Sequence, residues 1–138
     1  MELSIDREMT INGIQKEFNG FYPFLKIEFF RNRNQGNKPP SKAERINPEE
    51  RISTLTRIFE SGRINIDGNR TVAQFGQELL DTFGLSVQVF RKSGNLWIET
   101  SLTDNWSLEK QNTEGKLLNS SDRKSLNQQI EDNIVDSD

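Results

Sequence analysis

Residues 71–100 read TVAQFGQELLDTFGLSVQVFRKSGNLWIET, the pattern of a capped helix followed by a β-hairpin. Thr71 is a helix-capping residue. Gln74, three places on, completes the capping-box pattern, in which the two residues exchange hydrogen bonds. Val72, Phe75, Leu79 and Phe83 recur at the spacing of one helix face. Gly84 then offers the left-handed backbone that ends a helix. Beyond it Leu85, Val87 and Val89 alternate with Ser86, Gln88 and Phe90, the two-residue period of a strand. Ser93-Gly94 reads as a tight turn, and Leu96-Trp97-Ile98-Glu99-Thr100 as the returning hairpin strand.

The same pattern occurs earlier in the chain. With an offset of 61 residues, Glu2-Leu3-Ser4-Ile5-Asp6 lies over Arg63-Ile64-Asn65-Ile66-Asp67, Thr10 over Thr71, Ile14 over Phe75 and Phe18 over Leu79. After a one-residue slip Leu25, Ile27 and Phe29 match Leu85, Val87 and Val89, and Phe30-Arg31 matches Phe90-Arg91. Each copy reads as strand, turn, amphipathic helix and strand, a β-α-β unit. The first helix carries Gly13 inside it and is expected to be the weaker. The expected fold is α+β: repeat units 2–31 and 63–91 form one mostly antiparallel, ferredoxin-like sheet, with an inserted helix and a C-terminal hairpin strand. A doubly wound α/β sheet is the alternative, since each unit has its own crossover.

Between the copies, residues 32–46 are polar and contain Pro39-Pro40, which reads as a flexible surface loop. Asn47-Pro48-Glu49-Glu50 is a good helix start, and Ile52, Leu55 and Phe59 share a face, so a helix is expected over 48–60. Asp104 to Glu109 begins a short helix. Residues 1–112 thus form a single α+β domain. Residues 113–138 form a polar, acidic tail, expected to be disordered. Leu126, Ile130 and Ile134 recur every four residues within it, the alternative being a helix formed on a partner.

Charge and composition narrow the function. The 138 residues carry 18 basic and 21 acidic side chains. The tail holds three of the former and six of the latter, so the body is neutral, unlike a general nucleic-acid binder. A local exception is the basic run Arg31, Arg33, Lys38, Lys42 and Arg45. Cys and His are both absent, which removes disulfides, thiolate and imidazole metal ligands, thiol nucleophiles and the commonest general base. No phosphate loop, dinucleotide fingerprint or calcium loop is present. No apolar run approaches a membrane span, and the charged start lacks a secretory signal. Asp6 and Asp67 hold matching positions before the helices, where a turn side chain is the ordinary role and acid–base or cation chemistry the sharper one.

The strands point to a candidate surface. Leu25, Ile27, Phe29, Leu85, Val87 and Val89 face the helices, so Phe30 and Phe90 face away. With Ser93-Gly94 closing the hairpin, Trp97 stands opposite Phe90 and Ile98 opposite Val89. The binding candidates are therefore Phe30, Phe90 and Trp97, flanked by Arg31, Arg91 and Lys92. Such a face is a second core layer, a protein-binding surface or a base-stacking platform.

The segment Val87-Gln88-Val89-Phe90-Arg91-Lys92-Ser93-Gly94-Asn95-Leu96-Trp97, followed by Thr103-Asp104-Asn105-Trp106, resembles a segment of small uncharacterised bacterial α+β proteins. The resemblance covers residues 71–112 and, more weakly, Pro23 to Phe30. It implies a bacterial, cytoplasmic setting and carries over no functional residues. The expected function is a non-enzymatic protein–protein interaction module, or a small subunit or adaptor of a larger bacterial assembly. Its partner is another protein or a second copy of itself, and no cofactor, metal, catalytic residue or membrane is implied. The alternative is a single-stranded nucleic-acid-binding sheet using Phe30, Phe90 and Trp97.

Overall fold

The computed structural model describes residues 1–31, 44–55 and 61–118. β1 (Glu2–Ile5) leads through α1 (Ile11–Phe21) to β2 (Leu25–Phe30). β3 (Gly62–Asn65), α2 (Val72–Phe83) and β4 (Ser86–Ser93) follow in the same order, then β5 (Leu96–Glu99) and α3 (Leu108–Leu117). Single 3-10 turns lie at Ile52–Thr54 and Ser101–Thr103.

Local chemistry sets the helix ends. The Thr71 hydroxyl accepts from the Gln74 N–H at 3.0 Å, and the Gln74 side-chain oxygen accepts from the Thr71 N–H at 2.9 Å. Gly84 stops α2 at φ 66°, where a side chain would be strained. Thr10 caps α1 in the same way, accepting from the Gly13 N–H at 3.1 Å.

The α+β class stands, but the expected single sheet is two. β1 pairs antiparallel with β3, and β2, β4 and β5 form a separate antiparallel sheet in the order β2-β4-β5. β1 with β3 and β2 with β4 pair between the halves of the chain, not across their own helices, and β5 adds to β4 as its hairpin partner. The two strands of each β-α-β unit therefore fall in different sheets, and no parallel pair forms among the described residues. The apolar faces still meet in one core. Leu3, Ile5, Ile64 and Ile66 come from the two-stranded side, and Leu25, Ile27, Phe29 and Val89 from the three-stranded sheet. Ile11, Ile14 and Phe18 of α1 and Val72, Phe75 and Leu79 of α2 lie between them. Phe18 stacks on Phe75 with ring centres 5.3 Å apart. Each such side chain contributes roughly 1.5–3 kcal/mol on burial.

Backbone bonds recur between the halves. The Ile11 N–H donates to the Glu50 carbonyl and the Val72 N–H to that of Trp106. The Asn12 N–H donates to Pro48 and the Ala73 N–H to Asp104; the Ile52 N–H donates to Met9 and the Leu108 N–H to Arg70. The bridge between Thr10 and Arg51 is matched by one between Thr71 and Ser107. Residues 44–46 lie along the outer edge of β2, with the Arg31 N–H donating to Glu44 and the Ile46 N–H to Phe29.

These bonds explain why the expected helix over 48–60 is replaced, in its described part, by a 3-10 turn. The Ile52 and Ser53 N–H groups are taken by the Met9 and Arg7 carbonyls, so they cannot bond back along a helix. Ile52 is buried and Leu55 packs on the core; Phe59 lies outside the described residues. α3 starts at Leu108, where the Ser107 hydroxyl accepts from the Lys110 N–H at 3.0 Å, and continues to Leu117, past the point where the tail was expected to begin. Gly115 lets α3 press against β2: a Cβ there would lie 2.8 Å from the Phe24 Cβ and 3.0 Å from its carbonyl oxygen. Residues 32–43 of the expected loop 32–46, and the residues Leu126, Ile130 and Ile134, lie outside the described residues.

Candidate functional site

The three-stranded sheet has two unlike faces. Leu25, Ile27, Phe29 and Val89 turn to the helices and are buried. The other face carries Lys26, Glu28, Phe90, Lys92, Trp97 and Glu99, with Phe90 and Trp97 only half-buried. The hairpin register corrects the expectation. Ser93 pairs with Leu96, so the turn residues are Gly94-Asn95, with Gly94 at φ 61°. Phe90 then faces Glu99, and Trp97 faces Lys92. The shift is two residues along the strand, so Trp97 keeps its side of the sheet. It is a diagonal neighbour of Phe90 rather than its partner.

A lysine the sequence reading missed joins the two rings. Lys26 faces Phe90 across the β2–β4 ladder. Its ammonium lies 5.3 Å from the Phe90 ring centre and 5.2 Å from that of Trp97. Lys92 lies 5.4 Å from the Trp97 ring centre. At partly exposed sites each such contact stabilises by roughly 0.5–1 kcal/mol. Glu28 balances the charge, 3.6 Å from Lys26 and 3.1 Å from Arg45. The signal for Lys26 was its place in the alternation of β2. It became readable only once β2 and β4 were paired.

The remaining candidates lie elsewhere. Phe30 faces Ser86, about 13 Å along β2 from Lys26 at strand spacing, and is buried outside the main core cluster. Arg31 is exposed beyond the strand end and bonds Glu50 at 2.7 Å. Arg91 alternates to the helix side. There it lies over Trp106 at 5.5 Å and donates to the Gln111 side-chain oxygen at 2.8 Å, with Lys110 on Trp106 at 4.2 Å. Of the six candidates, the structure brings together Phe90, Trp97 and Lys92.

The two matching aspartates are engaged separately. Asp6 accepts from the Glu8 N–H at 2.8 Å and from the Ser61 hydroxyl at 3.0 Å. These bonds favour the ionised form and hold its carboxyl below the usual range, the backbone donor first. Asp67 accepts from the Met1 ammonium at 2.7 Å, which lowers its pKa too. The Tyr22 phenol, buried between α1 and β3, donates to the Ile66 carbonyl, and burial raises its pKa. No described helix is long and apolar enough to cross a membrane. Comparison of the chain with protein-family models, with curated proteins and with solved structures finds no match.

Proposed function

We propose that the chain is a non-enzymatic protein-interaction module, a small subunit or adaptor of a bacterial assembly, whose contact surface is the Phe90–Trp97 face. One observation carries the reading: two aromatic rings stay half-exposed on the sheet face opposite the helices, fixed in place by lysines. Aromatic anchors with a charged rim suit a protein partner. The nucleic-acid alternative is less well supported. A base would have to displace the ammonium groups from the rings, and Glu28 and Glu99 on the same face repel phosphate.

The same reading takes the halves as copies of one unit. Support comes from the recurring hydrogen bonds and from the sheet registers. Leu3 pairs with Ile64, the residue 61 places on, and Glu28 with Gln88, 60 places on. An internal two-fold axis produces such self-matching pairs.

Trp97→Ala tests the proposal. The expected outcome is an unchanged thermal transition together with loss of co-purifying protein from the native host, compared side by side with the parent chain. Unfolding of the variant would make the rings core residues instead. Oligonucleotide binding at low salt that fades steeply as salt rises would favour the nucleic-acid reading.

A further inference from the structure

A groove of about 430 Å³ opens between α2, the outer edge of β4 and the segment that leaves β5, lined by Ala73, Gly76, Leu80, Val87, Leu102 and Asp104 among others. Alternate residues of β4 address different neighbours. The Lys92 N–H donates to Phe24 at the end of β2, whereas Val87 and Val89 turn their backbone groups outward. The Val89 carbonyl accepts from the N–H and hydroxyl of Thr100. By the same alternation the Val87 N–H and carbonyl point away from β2, towards the groove.

The first half of the chain shows what such an edge requires. There the Ile27 carbonyl accepts from the Gln15 side-chain amide at 2.9 Å, and the Leu25 carbonyl from that of Asn19 at 2.8 Å. The corresponding places in the second half, 61 residues on in the helix and 60 in the strand, hold Gly76, Leu80, Val87 and Leu85. The first half thus closes its own edge with amides. The second half has glycine and leucine in their places; Thr100 and the Gln88 side-chain amide reach the Val89 carbonyl, and the edge opens at Val87. Packing does not demand Gly76, because a Cβ there would sit 3.7 Å from Val87 Cγ1, an ordinary contact. Its missing side chain leaves the groove.

An occupant must give an N–H to the Val87 carbonyl and accept the Val87 N–H. An extended backbone laid along β4 does both, with alternate side chains falling towards Leu80 and Leu102. Both leucines expose apolar surface, at 39% and 99%. Asp104 is the acidic residue of the lining, so neutral or basic side chains fit and acidic ones do not. We propose that this groove binds an extended, neutral-to-basic peptide segment of a partner protein as an added strand on the outer edge of β4. The site is separate from the Phe90–Trp97 face.

The test is panning of random decapeptides on the full chain, with Gly76→Gln and Trp97→Ala as parallel baits. Gly76→Gln rebuilds the first half's amide and favours the helix, so its melting temperature should rise. The enriched peptides should bind it roughly ten-fold or more weakly, as expected for a blocked backbone hydrogen bond. Trp97→Ala should bind them unchanged. In the parent chain the bound peptide should protect the Val87 amide from hydrogen exchange. The proposal is overturned if no peptide is enriched, or if enriched peptides bind Gly76→Gln as well as the parent. Peptides that instead lose affinity for Trp97→Ala would assign binding to the aromatic face and leave the groove without a role.

Discussion

Asp6 ends β1 by turning its carboxylate onto the Glu8 N–H and the Ser61 hydroxyl, which ties the first half to the start of the second. Its carboxyl sits below the ordinary 3.8, so the sign of its effect on stability is fixed. The contribution is present above the unfolded value and is lost as pH falls through the lower folded value. Ser61→Ala should raise the Asp6 pKa towards 3.8 in an NMR titration. It should also reduce the loss of stability between about pH 7 and about pH 3. Tyr22→Phe should cost about 1 kcal/mol in urea melts, because the Ile66 carbonyl loses its phenol donor. At this scale the sequence was readable wherever a role is local. The turn bond from the Glu8 N–H to Asp6 needs only near neighbours in sequence, whereas its bond from Ser61 does not. Lys26, by contrast, owes its place to a strand some sixty residues away, and Arg91 owes its partners to a helix the sequence reading began but did not extend.

Helix α2 was legible throughout, since its cap, apolar face and glycine stop are written within the fourteen residues from Thr71 to Gly84. Thr71→Ala should therefore destabilise the chain by about 1 kcal/mol in chemical denaturation, by breaking the capping box. Thr10→Ala should cost a similar amount, because α1 relies on the same hydroxyl bond. The segment after Asn47 was not legible. It carries good helix-start chemistry, and the Asn47 side chain does accept from the Glu49 N–H at 2.9 Å. Tertiary bonds from Ile52 and Ser53 to the Met9 and Arg7 carbonyls then override the propensity. The hairpin shows a third kind of limit. Ser93-Gly94 and Gly94-Asn95 are both plausible turns, and the choice between them sets the partner of Trp97 while leaving its side of the sheet unchanged.

Across the whole molecule, one core joins two sheets, and the Phe18–Phe75 stack lies at the helix contact between the halves. Phe75→Ala should cost about 3–5 kcal/mol. The loss should appear as one cooperative transition followed by both near- and far-ultraviolet circular dichroism, because no described element has a core of its own. The two-sheet arrangement could not be read from alternation. Periodicity shows which side of a strand is apolar, and it is silent on which other strand lies beside it. The registers through Leu3–Ile64 and Glu28–Gln88 set like positions of the two halves opposite each other. A fragment beginning at residue 61 would keep both seams but lose the strands that fill them. Ile64 and Gln88 could then meet their own copies across a crystallographic-style dyad. Such a fragment should sediment at twice its formula mass, and a monomeric fragment would show that the two seams discriminate between the halves.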